Sequence, residues 1–326
     1  MTRTFLALFL LVLSMPGVGE TLRIEEIEFA SHGTILSGSI VFPPGEIHAA
    51  VVFIHGSGKQ VRNLHWAERF AREGVAALVY DKRGAGKSGG EYEGNQNVSE
   101  KNISLLADDA VSAMRSLSTH PSMKGIRAGF AGISQAGWIA PLAAQRSELA
   151  KFLVLWSGPV CKVSEEDVYS KYTSDADGQT APPYDEALKS RTEKYIWPEF
   201  LGRDSDSSQD LAKLSIPGLW IFSDNDTSIP VDLSIDRLQG LRKAGHRYDY
   251  VLFSGLGHNN MDQTFSVATD WIRRASAKRL HDAPSIFSIN GRHHAYPILK
   301  ITALLPSLPS AYSRLATIPC CGLSRY

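Results

Sequence analysis

Cysteine is scarce in this 326-residue chain: there are three, and two of them, Cys320 and Cys321, are adjacent. That excludes a disulfide-built scaffold and any Cys-x-x-Cys metal knuckle, so the fold has to be held by its core. Net charge is missing as well, with 34 Lys and Arg against 34 Asp and Glu. A chain without a global field has no electrostatic pull toward nucleic acid or an anionic membrane. The N-terminal apolar run, Phe5 to Leu13, has nine residues, whereas a hydrocarbon core needs about 20, so no stable membrane insertion is expected. No repeat or low-complexity linker interrupts residues 20–280, which argues against a solenoid. What remains, 43% hydrophobic and 21% charged residues, suits a globular domain.

The first segment combines Arg3, the run Phe5 to Leu13, Pro16 and the small residues Gly17 and Gly19. That order reads as a secretory signal peptide, residues 1–19, cleaved near Gly19, and predicts export to the periplasm or the medium. Residues 20–281 then form one domain. Residues 282–326 contain a single acidic residue, Asp282, among many Ser, Pro and Leu, and are set apart as a tail.

Within the domain, apolar runs of strand length alternate with segments of helical period, the pattern of an α/β sheet protein. Leu22 to Phe29 and Ile35 to Phe42, joined at His32-Gly33, read as an antiparallel hairpin at the sheet's edge. Ala49 to Ile54 and Val75 to Tyr80 read as central parallel strands, apolar enough to be covered on both faces, and Ile126 to Ala131, Lys151 to Trp156, Ile216 to Phe222 and Tyr248 to Phe253 read as further strands. Helical spacing recurs at Leu64, Ala67, Phe70 and Ala71, at Ile103 through Leu117, after Gly137, and at Phe265 through Ile272. The polar stretch from about 160 to 213 reads as a mostly helical insertion after the sixth strand.

Chemistry is expected where parallel strands end. Gly132-Ile133-Ser134-Gln135-Ala136 places a serine on a sharp turn between a strand and a helix, which holds its hydroxyl out. A serine hydroxyl needs a base to take its proton, and a histidine does this best when a carboxylate fixes its tautomer. Asp226 follows the Gly218–Phe222 run and His258 follows the last strand. Serine, acid, histidine is the order of one triad-bearing architecture and not of the other common ones.

The chain therefore resembles the α/β-hydrolases over about residues 22–280. His55-Gly56-Ser57-Gly58 is similar to that family's oxyanion loop, Asp81 to Ser88 to its turn after the fourth strand, Gly132 to Ala136 to its nucleophile elbow. Ser223 to Pro230 is similar to its acid loop and Gly257-His258 to its histidine loop. The branch it resembles includes serine aminopeptidase-like, acyl-thioesterase-like and dienelactone-hydrolase-like proteins. The resemblance implies an α/β-hydrolase fold: a mostly parallel central sheet flanked by helices, with the insertion at 160–213 as a short cap. It implies Ser134 as nucleophile, His258 as base and then acid, Asp226 as orienting carboxylate, and the backbone N–H groups of Ser57 and Gln135 as oxyanion donors. Ser223 stands where the family has glycine in Gly-x-x-Asp, which leaves Asp224 as an alternative acid; aligning Ile229-Pro230 with the usual apolar-Pro pair favours Asp226.

Gly86-Lys87-Ser88 has the end of a phosphate-binding loop, but Asp81 occupies the place of its first glycine. Arg83 reads as a structural donor and His55 as a stabiliser of the loop it opens. Trp138, Trp156 and Trp197 read first as packing residues. No cofactor and no metal are called for. A small or medium acyl ester is the expected substrate. The rivals are an acyl-thioesterase, an aminopeptidase or amidase using Glu165, Glu166 or Asp185 to hold a substrate ammonium, and a binding protein that keeps the fold without catalysis.

Overall fold

The computed structural model describes residues 21–94, 97–174 and 180–277. The proposed signal segment and the tail with Cys320 and Cys321 lie outside them. Among the described residues no helix is long and apolar enough to cross a membrane.

Eight strands form one sheet: β1 (Arg23–Ser31), β2 (Thr34–Phe42), β3 (Ala49–Ile54), β4 (Val75–Tyr80), β5 (Ala128–Ile133), β6 (Ala150–Trp156), β7 (Gly218–Ser223) and β8 (Tyr248–Phe253). Their order is β1-β2-β4-β3-β5-β6-β7-β8. The first three in that order pair antiparallel and the rest parallel. The β1–β2 hairpin turns on His32 and Gly33, both with positive φ, 48° and 72°, which matches the right-handed twist of the flanking strands. Only β1 of this hairpin lies at the edge, because β2 also pairs with β4 from Gly38 to Val41.

Two expected strands begin two residues later than expected. Ile126 is held in a turn by its N–H to the Met123 carbonyl, so β5 begins at Ala128 and runs on through Gly132 and Ile133, paired with β3 and β6. Pro217, without an N–H to give a ladder, keeps Ile216 out of β7.

Side chains alternate across the sheet. Ala50, Val52 and Ile54 of β3 face one core with Leu78, Phe130 and Trp220, and Val51 and Phe53 face the other with Val79, Val154 and Ile221. The first face is covered by α2 (Glu100–Thr119), α3 (Ala136–Gln145) and α7 (Val231–Lys243), the second by α1 (Leu64–Arg72) and α8 (Met261–Ser276). Each fully buried Val, Leu, Ile or Phe contributes about 1.5–3 kcal/mol, and burial on both faces is what makes the central strands continuous apolar runs. Between β6 and β7 the chain carries short helices, α4 (Val163–Thr173), α5 (Tyr184–Lys189) and α6 (Ser207–Leu211), joined by irregular segments. The base of this insertion is closed by a bridge between Lys162 and Asp206.

Arg83 is a structural donor. Its Nε gives a 3.0 Å hydrogen bond to Asp109 Oδ2 and its Nη2 bonds Asp109 Oδ1 and the Ser31 carbonyl, locking the turn after β4 to the inner face of α2. Asp109 is fully buried. Asp109→Ala strands the guanidinium in the interior, and the unfolding free energy should fall by about 3–5 kcal/mol, read as a lowered midpoint in urea denaturation.

Candidate active site

All the parallel strands end at the same edge of the sheet, and the residues singled out by sequence lie on the loops that leave it: His55 to Gly58 after β3, Ser134 after β5, Asp226 after β7 and His258 after β8.

Ser134 adopts φ 56°, the left-handed region, which a side-chain-bearing residue occupies only at a cost. The turn closes because its neighbours are small. A Cβ on Gly132 would sit 2.5 Å from Ala136 Cβ and 2.7 Å from the Ile54 carbonyl oxygen; one on Gly137 would sit 2.5 Å from Pro159 Cδ. The Ser134 N–H donates to the Trp156 carbonyl at 3.0 Å, and the Ser134 carbonyl accepts from Gly137 N–H at 2.8 Å. The early loop lies directly against the serine: the Cβ position of Gly56 is 3.4 Å from Ser134 Cβ. Ser57 is exposed on that loop, while Gln135 is buried and opens α3, where backbone N–H groups are not used by the helix.

Asp226 is fully buried, and its two carboxylate oxygens lie 2.9 and 3.0 Å from His258 Nδ1. Oδ1 also accepts the N–H groups of Ser228 at 3.0 Å and Ile229 at 3.2 Å. A carboxylate on Nδ1 requires the imidazole proton there, which makes Nε2 the nitrogen that can take a proton. Asp224 is engaged elsewhere: it accepts from Ser254 Oγ and from Gly255 N–H, each at 2.7 Å. It is Asp226, not Asp224, that meets the histidine.

A buried polar chain fastens the histidine loop to the sheet. Ser157 Oγ donates to the His258 carbonyl at 2.8 Å, and Asn260 Nδ2 donates to Ser157 Oγ and to Ser223 Oγ. Ser157 follows Trp156, whose carbonyl holds Ser134 N–H, so the serine and histidine loops share one support at the end of β6. Sequence reading missed this chain; its only signal was a cluster of small polar residues at strand ends.

His55 donates from Nε2 to the Tyr80 carbonyl, as its place at the head of the loop suggested. Burial lowers its pKa to about 4, against that hydrogen bond, so it is neutral at pH 7. The phosphate-loop likeness ends at Asp81, whose Oδ2 accepts the Lys87 N–H at 2.8 Å and fills the place an anion would take; a Cβ on Gly86 would lie 2.4 Å from it. Trp138 and Trp156 are core residues, with Nε1 donating to the Cys161 carbonyl and to Thr264 Oγ1. Trp197, partly buried, donates to the Gly202 carbonyl. Among the described residues no group of three or more His, Cys, Asp or Glu side chains converges to hold a metal ion.

Residues 45–176 match the family described as serine aminopeptidase, S33. The polyketide transferase claH of Penicillium crustosum is 35% identical over 100 residues, 31% of this chain and 30% of that protein, so the match spans under a third of the relative's length. Among solved structures, a Pyrococcus furiosus esterase superposes with a TM-score of 0.55 at 18% identity, covering 82% of this chain and 93% of the other. An acylaminoacyl peptidase of Pyrococcus horikoshii gives 0.60 at 18% identity, covering 81% and 43%. The chain is an α/β-hydrolase-fold protein.

The elbow's dependence on a bare backbone is open to test. Gly132→Ala forces a methyl into the 2.5 and 2.7 Å contacts and should lower stability by about 1–3 kcal/mol. Gly56→Ala, whose nearest contact is 3.4 Å, should stay within about 1 kcal/mol of the wild type by the same thermal or urea melt.

Proposed function

We propose that the protein is a serine hydrolase that cleaves a small or medium acyl ester through an acyl-enzyme. The observation that carries this reading is the pairing of His258 Nδ1 with the fully buried Asp226, on a sheet edge that also presents Ser134 in a left-handed turn. Ser134 Oγ attacks the acyl carbon while His258 takes its proton; His258 then returns the proton to the leaving alcohol, and a water repeats the sequence to free the acid. The N–H groups of Ser57 and Gln135 hold the negative charge that develops on the carbonyl oxygen. Asp226 keeps the imidazole in the right tautomer and offsets its charge when protonated.

Of the three carboxylates that could hold the ammonium of a peptide substrate, Glu165 is engaged within the protein, which supports the ester reading. Its two oxygens each lie 2.6 Å from an Arg237 nitrogen, and Oε2 also accepts the Lys162 N–H. A carboxylate so engaged is poorly placed to receive a substrate ammonium. Asp185 is paired with Lys189.

Hydrolysis of p-nitrophenyl esters of increasing acyl length should be measurable for the wild type and lost in Ser134→Ala. Asp226→Asn should lower kcat by on the order of 10³–10⁴, whereas Asp224→Asn should stay within about tenfold, since Asp224 does not reach the imidazole. A wild type inert toward every ester would remove the esterase reading, and an active Ser134→Ala would remove the nucleophile. Export is proposed from the N-terminal pattern alone; a secreted product whose mass corresponds to a start near residue 20 is the expected result, and an unprocessed chain retained in the cytoplasm is the contrary one.

A further inference from the structure

Lys82 is the second residue after β4 and is buried. The three acceptors of its ammonium are neutral: the Gly56 carbonyl at 2.9 Å, the Gly58 carbonyl at 3.1 Å and Gln135 Oε1 at 2.8 Å. An ammonium has three protons, and these acceptors use all of them. A buried cation is costly to keep, and a linear apolar side chain would fill the same space more cheaply, so the position of these bonds calls for an explanation.

Two of the acceptors belong to the loop that lies against Ser134, and the third to the residue that follows it. In a trans peptide the C=O of one residue and the N–H of the next point in opposite directions across one rigid plane; no cis bond occurs among the described residues. A Gly56 carbonyl anchored on Lys82 therefore turns the Ser57 N–H away from Lys82. Gln135 is held from both ends of its amide, since Nε2 donates to the Asn97 carbonyl at 2.8 Å.

We propose that Lys82 is a positioning residue, whose ammonium ties the Gly56–Gly58 loop to Gln135 and so sets the spacing and direction of the Ser57 and Gln135 N–H groups. The inference rests on the serine hydrolase reading, in which those two groups receive the oxyanion. Lys82 touches no reacting atom; it acts through two backbone segments that come from distant parts of the chain and share no covalent constraint.

The tie depends on protonation. A neutral amine has two protons and a lone pair, so one of the three oxygens would face the lone pair. Burial lowers the Lys82 pKa to about 7, and the tie therefore loosens as pH rises above neutrality. The charged and titratable groups next to it in the chain and at the end of β3 are His55, Asp81 and Arg83. His55 at the end of β3 is already neutral, with a pKa of about 4. Asp81 is held ionised, at about 2, because the Arg62 hydrogen bonds outweigh the effect of burial. Arg83 is paired with Asp109.

The test compares wild type with Lys82→Met on an ester that the wild type hydrolyses and Ser134→Ala does not. The expected result is a folded variant whose kcat is lower by about 10–100-fold, less than the 10²–10³ for deleting an oxyanion donor outright. Its KM should stay within about threefold, because the donors act in the transition state. Wild-type kcat should fall between pH 7 and 9, and that fall should be absent from Lys82→Met. A folded Lys82→Met with kcat within about twofold of wild type overturns the proposal. If Lys82→Met does not fold, the comparison is made with Gln135→Leu, which keeps the backbone N–H and removes one of the three acceptors; a folded Gln135→Leu with kcat within about twofold of wild type then overturns it. If no ester is hydrolysed, the esterase reading has failed by itself, and the comparison is made on the rate at which a fluorophosphonate labels Ser134. Slower labelling of folded Lys82→Met supports the tie; equal rates overturn it.

Discussion

The left-handed turn at Ser134 is the constraint around which the rest is arranged. A non-glycine residue at positive φ costs about 1–3 kcal/mol and persists only where its surroundings over-determine it. Here the surroundings are the sheet: the Ser134 N–H is held by the Trp156 carbonyl of the next strand, and the bare backbone of Gly132 lets β5 pass within contact of Ile54 and Ala136. The strain is carried by the parallel part of the sheet, whose central strands are buried on both faces. The gain is a hydroxyl presented at the strand ends, where every neighbouring loop can reach it.

Those loops are themselves held by buried polar groups whose hydrogen bonds are satisfied within the protein. Asp226 is fully buried but accepts from two backbone N–H groups as well as His258. Lys82 satisfies all three protons on neutral acceptors. Arg83 and Asp109 form a forked pair between the turn after β4 and α2. Ser157, Asn260 and Ser223 link the histidine loop to the ends of β6 and β7. Buried groups of this kind are satisfied in one geometry and costly in any other, so they define where loops stand more sharply than packing could.

This fold hosts many chemistries, so likeness to an esterase or a peptidase at 18% identity speaks for the architecture and leaves activity to the site. The site's asymmetries are what favour one reading. Glu165, which sequence alone left able to hold an ammonium, is taken by Arg237. The Gly86-Lys87-Ser88 segment, which has the look of a phosphate loop, wraps around the carboxylate of its own Asp81.

The sequence by itself determined the elements whose signal is local. Strands β3 and β4 carry their bounds in plain apolar runs, because burial on both faces leaves little other composition. Ser134, His258 and the loop that carries the acid stand out in the sequence for a related reason: each follows a strand end, and chain order restricts which architecture can hold them. Where local chemistry was ambiguous the reading slipped. The end of β5 is written in Gly132 and Ile133, which look like turn, and α7 has an apolar pattern too sparse to stand out beside the acid loop. Only the tertiary structure decided between Asp224 and Asp226, two residues apart and alike in chemistry, since the choice depends on which carboxylate the β8 exit loop leaves facing His258. It alone brought Lys82 to Gly56 and Gln135, and Asp109 to Arg83. Those contacts join segments 26 or more residues apart, and no periodicity records them; they exist because strands distant in sequence end side by side.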